Sequence, residues 1–390
     1  MAGMATPPLA QRMHDLAQSD IRRMTLECDR VGGVNLGQGV CDLPTIPELK
    51  TGLREAVEAN RSTYSRYDGI GSLREAIHRR LKAKNGVDYD PEGEIVVTVG
   101  ATGAFAMAMM ALIDPGDEVL LPEPFYGYHY NTILAAGGVP RAVPLAEPDF
   151  AVDFEALTRA IGPRTRAVVV CTPANPSGKV WSPEELDRLT ALLYEHDLWA
   201  VTDEIYEEIL YDGLAHGSLA ARPGARERTI TVSGFSKTFS ITGWRLGFAA
   251  APRALGAALG VLNDLFYVCA PTPLQHAVAH TMLSVGPGYY EGLRRDYQQK
   301  RDRLVATCRE LGWEPRVPRG AYYLMVEPRG LERATARETA DRILAGARVA
   351  SIPGSAFYAG GGGEHLVRFS FAKTDADLDR ASAQLLEAFG

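Results

Sequence analysis

Four short stretches of the chain carry side chains that could do chemistry together. The first, "GFSKTFSITGWRLG" from Gly234, sets Lys237 among small and apolar residues with Arg245 eight positions later. A lysine held in a partly apolar site becomes a nucleophile toward carbonyls, whereas a surface lysine lying along apolar ground does nothing. The second, "DEIYEEILYDG", places Asp203 three residues before Tyr206. Such a carboxylate is either a helix cap or, if buried, a group in need of a cationic partner. In the third, "TPANPSG", Asn175 is fixed between turn-forming residues, and an Asx turn is the plainer reading when it is taken singly. The fourth, Gly100-Ala101-Thr102-Gly103, opens a helix whose free backbone N–H groups can hold a phosphate, although small residues also serve tight strand-to-helix packing.

Each stretch follows a run that reads as a β-strand. Candidate strands cover 95–99, 118–121, 139–143, 167–171, 198–202, 229–233 and 246–250, and most are continuously apolar. Strands of that kind belong to a sheet covered by helices on both faces, and the intervening helices are expected over 103–113, 183–196 and 273–284. The 183–196 helix has Ser182 as N-cap, Pro183 at its first position and Glu185 three residues after the cap. In an open α/β sheet the ligand sits beyond the carboxyl ends of the strands, so the four stretches converge on one place. They combine a phosphate cradle, a carboxylate for a ring nitrogen, hydroxyl and amide donors for a phenolic oxygen, and an amine for an aldehyde. Pyridoxal phosphate has those groups. Arg245 adds a fixed positive charge for the phosphate, and Lys237 is placed to form an imine with the aldehyde.

The remaining chain bounds the reading. At 390 residues, 46% hydrophobic and 23% charged, one large and one smaller domain are expected. The division is placed at 45–290 for a large cofactor-binding domain, with 1–44 and 291–390 forming a small α+β domain with an N-terminal arm. That second part starts with a long charged helix after Tyr290, continues with strands around 322–326 and 365–371, and ends in an amphipathic helix from Asp375. Residues 360–363, "GGGG", read as a solvated connector. A net charge of −7 with scattered Lys and Arg gives no reason to seek nucleic acid. The longest apolar run, 105–113, is far short of a membrane span, and the N-terminus lacks the apolar core of a signal peptide, so a cytoplasmic location is expected. Five cysteines without CxxC spacing read as reduced thiols, and the eight histidines show no metal-binding pairing, so no metal is expected.

With these residues in view, the chain resembles the class I/II aminotransferases of pyridoxal-phosphate fold type I, the aspartate aminotransferase-like family. The fourteen residues from Gly234 fit that family's lysine signature, and the resemblance runs nearly the whole length. "VNLGQGVCDLP", "YSRYDGIGSLREAI", "DEVLLPEPFYGYHY", "NPSGKV", "VTDEIYEEILYDG", "GAYYLMVE" and "VRFSFA" follow in family order. The resemblance implies a large, mostly parallel seven-stranded sheet domain with helices on both faces, a smaller α+β domain, and a homodimer with shared active sites. It implies that Lys237 holds the cofactor and later moves the substrate proton, and that Asp203 pairs with the ring nitrogen. Tyr206 and Asn175 bond the phenolic oxygen, and Tyr126 stacks on the ring, or its neighbour Phe125 does. Ala101, Thr102 and Arg245 take the phosphate, with Tyr64 reaching it across the dimer. Arg368 binds the substrate carboxylate, with Asn175 and Gly39 beside it.

Two departures from the family pattern matter. The position three before the lysine, often a phosphate-binding serine, is Gly234, so that hydroxyl is missing or comes from Ser236. The frequent "GEPDF" reads "GVCDL" from Gly39, which makes the pocket edge at Val40 and Cys41 less polar. Transamination between a neutral or aromatic L-amino acid and a 2-oxo acid, by ping-pong exchange at one site, is therefore expected. The alternatives are a β-lyase on the same scaffold, a ligand-sensing domain of a regulator, and a nicotinamide dehydrogenase built on "GATG". The regulator lacks a basic DNA-binding module, and the dehydrogenase lacks GxGxxG spacing. Arg319, just before "GAYY", is the residue most able to reverse the side-chain preference, and it reads as a solvated loop residue.

Overall fold

The computed structural model describes residues 10, 13, 20–331 and 335–390. Of the expected N-terminal segment 1–44, residues 1–9, 11, 12 and 14–19 lie outside the described residues. In chain order the first elements are α1 (Asp20–Val31), β1 (Val34–Asn35), α2 (Pro47–Glu58), α3 (Gly71–Arg80), β2 (Ile95–Val99), α4 (Gly100–Leu112), β3 (Glu118–Glu123) and α5 (Gly127–Ala135). Then come β4 (Val139–Pro144), α6 (Phe154–Arg159), β5 (Thr165–Cys171), α7 (Pro183–Glu195), β6 (Trp199–Asp203), β7 (Thr229–Gly234), β8 (Leu246–Ala250), α8 (Arg253–Tyr267) and α9 (Thr272–Ser284). The chain closes with α10 (Pro287–Glu310), β9 (Glu314–Arg316), β10 (Tyr323–Glu327), α11 (Ala336–Ala347), β11 (Val349–Ala350), β12 (Ile352–Pro353), β13 (Val367–Ser370) and α12 (Asp375–Phe389).

The seven expected strands form one sheet in the order β2-β8-β7-β6-β5-β3-β4. All neighbours are parallel except those of β8, which runs against both β2 and β7. The cause is local: the 235–245 connection between β7 and β8 holds only a short 3-10 turn, Thr242–Trp244, too short for a crossover helix. Reversal puts the start of β8, not its end, beside the carboxyl ends of its neighbours. Interior strands are buried along their length, whereas the edge strand β4 alternates exposed and half-buried residues. The Ser182–Glu185 capping box and Pro183 start α7 as the sequence predicts.

A second sheet, β12-β13-β10-β9, is antiparallel, and β1 pairs in parallel with β11. Its core joins Met24, Cys28, Val34 and Leu36 to residues from Leu293 to Leu385, and takes in Phe150, Ile205, Tyr206, Ile209 and Tyr211 from the chain between them. Two separate apolar clusters line the two faces of the large sheet near β2 and β8. The glycine run is only partly a solvated connector. Gly360 and Gly361 are exposed, but Gly362 and Gly363 pack under Tyr358, where any Cβ would meet its ring. Helix α8 lies outside the expected set, and its outward side carries the exposed apolar residues Val261, Leu265 and Phe266.

Candidate active site

A cavity of about 410 Å³ opens at the carboxyl ends of the large sheet, against the small one. Every candidate site residue except Tyr64 lines it: Gly39, Ala101, Thr102, Tyr126, Asn175, Asp203, Tyr206, Ser236, Lys237, Arg245 and Arg368. The sheet explains the convergence. Asp203 is the last residue of β6, Lys237 follows the end of β7, Asn175 follows β5, and Arg245 precedes the reversed β8.

At the floor, the N-cap of α4 is Val99, whose side chain makes no capping hydrogen bond, so the first-turn N–H groups of α4 are unclaimed by a side chain. Gly100 adopts φ +70°, and a Cβ there would crowd the Arg245 guanidinium, which places that charge directly beside the helix start. Gly247 brings β8 so close that a Cβ would press on the backbone of Gly100 and Ala101. Backbone amides, a hydroxyl from Thr102 or Ser236 and an arginine make an anion cradle. Gly234 packs against Gly247 and Leu246, so it faces the neighbouring strand, while Ser236 lines the cavity.

Asp203 is buried and doubly held. Its Oδ1 accepts the Ile205 N–H at 3.2 Å, and His129 Nε2 lies 2.9 Å from its Oδ2. His129, buried at 3% exposure, is the functional neighbour that sequence reasoning missed. It sits three residues after Tyr126 at the start of α5, a helical spacing that puts both on one face, and that spacing was the available signal. Phe105 from α4 packs on the imidazole at 4.4 Å between ring centroids, and Tyr126 meets it edge-on at 5.3 Å. Tyr126 turns to the cavity, whereas Phe125 stacks on Tyr130 and donates its N–H to Phe357.

Lys237 Nζ is 3.5 Å from the Gly39 carbonyl and faces the rings of Tyr322 and Tyr206 at 5.5 and 5.8 Å. Tyr322 donates to the same carbonyl at 3.0 Å, and the Tyr206 and Tyr323 hydroxyls are 3.1 Å apart. Burial pushes the Tyr206 phenol well above its ordinary range, with the neighbouring tyrosines adding to the shift, so it stays a neutral donor. A Cβ on Gly39 would overlap the Tyr323 hydroxyl, which is the physical reason for glycine there.

Arg368, from the middle of β13, is 1% exposed. Its Nη1 donates to Asn175 Oδ1 at 2.9 Å and its Nη2 to the Gly37 carbonyl at 2.6 Å, while Tyr323 and Phe357 flank its plane at 4.3 and 4.7 Å. Its Nε is buried without a partner among the described residues. Burial pulls this guanidinium below its ordinary value, a cost that a bound carboxylate would remove. Arg319 is exposed and does not line the cavity. Tyr64 stands 80% exposed on the surface.

The family described as aminotransferase class I and II matches residues 31–385. The solved structure of N-succinyldiaminopimelate aminotransferase from Mycobacterium tuberculosis is 37% identical, superposes with a TM-score of 0.93, and covers 97% of this chain and 99% of that one. A structure from Escherichia coli, reported as having a methionine aminotransferase function, gives a TM-score of 0.94 at 31% identity, covering 98% of this chain and 100% of its own. Aspartate aminotransferase of Pyrococcus abyssi is 34% identical over 96% of both chains. The chain belongs to the class I and II aminotransferases, pyridoxal-phosphate enzymes that move an amino group between an amino acid and a 2-oxo acid.

Proposed function

We propose that this enzyme transaminates neutral amino acids, aromatic or aliphatic, by alternating amino acid and 2-oxo acid at the one cavity. The observation that carries this reading is the count of cations. Lys237, Arg245 and Arg368 are the lysines and arginines among the described residues that line the cavity. Arg245 sits at the anion cradle and Arg368 at the carboxylate end, which leaves none from this protomer for a second carboxylate. The side-chain end is formed by Ile21, Val40 and Tyr128 instead. Names of relatives do not choose for it, since they span aspartate, methionine and N-succinyldiaminopimelate. Measuring kcat/KM for phenylalanine, methionine, glutamine, alanine and aspartate tests the reading; aspartate ahead of all the neutral ones would overturn it.

The residues suit pyridoxal phosphate: an uncapped helix start with an arginine, a carboxylate held by His129, and a lysine whose amine has one long hydrogen bond. When bound, that cofactor supplies an electron sink for the charge left as the substrate Cα–H bond breaks. In this reading Ala101, Thr102, Ser236 and Arg245 hold its phosphate, and Tyr126 covers the ring. Asp203, held by its hydrogen bond with His129, pairs with the ring nitrogen. Tyr206 and Asn175 donate to the phenolic oxygen. Arg368 orients the substrate by its carboxylate, with Asn175 and Gly39 beside it. Lys237 Nζ would take the Cα proton and later give it back, as a general base and acid.

The same reading makes the enzyme a homodimer. Tyr64 is exposed and does not line its own cavity, and the nearby face of α8 exposes Val261, Leu265 and Phe266 at 69%, 74% and 53%. Tyr67 packs against Gly260 and its carbonyl accepts from Asn263, so the 64–67 segment and α8 form one surface. A covered apolar face of that kind and a completed phosphate site both follow from a second copy. A monomer in sedimentation at micromolar concentration would contradict it. The 45–290 and flanking segments are proposed as separate domains because each builds its own sheet, although Ile205, Tyr206, Ile209 and Tyr211 join the core of the smaller one; joint protection of both cores in hydrogen exchange would argue against the division. No helix of the described residues is long and apolar enough to cross a membrane, and all five cysteines are free. These support a cytoplasmic location, which recovery of the activity in an exported or membrane fraction would refute.

A further inference from the structure

The active cavity does not end at its apolar wall. A second hollow of about 470 Å³ lies between the start of α1, the start of α5 and the turn at Gly354–Phe357, and it shares Ile21, Tyr126 and Tyr128 with the first. The two form one trough, apolar and aromatic where they meet. The charges on the outer part are unequal. Asp20 is already paired, with Arg337 at 2.8 Å and Arg23 at 3.4 Å. Arg22 also lines the outer hollow, is exposed, and pairs with no carboxylate among the described residues. Asn131 adds an amide on the facing helix.

We infer that the enzyme accepts amino acids with long side chains, apolar near the α-carbon and ending in an anionic group that Arg22 receives. The inference rests on the neutral-pocket reading above and refines it. A short side-chain acid leaves its carboxylate against Ile21, Val40 and Tyr128, where no lysine or arginine of this protomer compensates its lost water. A longer one lays methylenes along that wall and carries its charge past it. Activity toward acidic substrates therefore depends on length in a way that no single inner arginine would produce: poor for the short acids, recovered for the long ones.

The experiment measures kcat/KM of the holoenzyme with methionine, with aspartate, glutamate, 2-aminoadipate and 2-aminosuberate, and with 2-aminooctanoate as the uncharged match for the last. The expected result is 2-aminosuberate above glutamate by about tenfold, the penalty of a carboxylate placed on apolar ground. In Arg22→Gln the ratio of 2-aminosuberate to 2-aminooctanoate should fall about three- to fivefold, the size of one exposed charge pair. Rates that fall steadily with the length of the acid overturn the inference, as does an equal loss for both long substrates in Arg22→Gln. If methionine is active and the long acids are no better than glutamate, the trough alone is wrong. If aspartate exceeds methionine, the neutral pocket fails and this inference with it.

Discussion

Replacing Arg368 by lysine separates carboxylate binding from side-chain selection. The arginine is fully buried, with Nη1 donating to Asn175 and Nη2 to the Gly37 carbonyl, and the proposed function leaves its remaining N–H positions, Nε among them, for the substrate. A lysine keeps the charge but has one nitrogen, which cannot hold Gly37, Asn175 and two carboxylate oxygens at once, and it lacks the plane that stacks between Tyr323 and Phe357. Losing one charge-assisted hydrogen bond to the substrate costs about 1.5–3 kcal/mol, or about 10- to 150-fold in kcat/KM. Because every amino acid presents the same carboxylate, the loss should be uniform. Steady-state kinetics with phenylalanine, methionine and alanine would show it, with circular dichroism and a melting curve to confirm that the variant folds. A loss below about threefold, or one that differs tenfold between these substrates, would refute the assignment of Arg368.

Four other outcomes follow. Lys237→Ala should bind cofactor without the borohydride-sensitive visible band and show no turnover; wild-type rates would remove Lys237 from the centre of the account. His129→Leu leaves Asp203 Oδ2 without its buried donor, so kcat should fall about 10- to 100-fold, from the loss of one hydrogen bond to a charged group. His129→Gln, which can restore an N–H, should recover part of that, and equal rates for the two variants would make the histidine merely structural. Mixed dimers of Tyr64→Phe and Lys237→Ala chains should regain part of the activity that each parent lacks, and no regain would argue against a shared site. Gly39→Ala forces a methyl group onto the Tyr323 hydroxyl, an overpacking cost of about 1–3 kcal/mol that should lower Tm and raise KM, whereas an unchanged melting curve would mean the loop simply moves.

Much of this molecule was readable because parallel interior strands announce themselves as continuous apolar runs, and the chemistry sits where those runs stop. Asp203, Asn175 and Lys237 could be placed together from that rule alone. Arg245 arrives by a route the strand pattern does not reveal, since nothing in Leu246 to Ala250 states that β8 runs backward; only the shortness of the preceding loop does. His129 was hidden for another reason. Its sequence neighbours are tyrosines, and a histidine among aromatics gives no hint that it faces a carboxylate contributed by a strand seventy-four residues later. The contact between Gly39 and Tyr323 is likewise a matter of two segments meeting across the cavity, and local pattern carries no trace of it.

The most direct test adds one amino acid, methionine, to the cofactor-loaded enzyme with no 2-oxo acid present and measures what leaves the protein. The account predicts a single burst of the matching 2-oxo acid, one per chain, with no ammonia, and renewed release only when a second 2-oxo acid is supplied to take the amino group away. Continuous release of ammonia, or no 2-oxo acid at all, would contradict it.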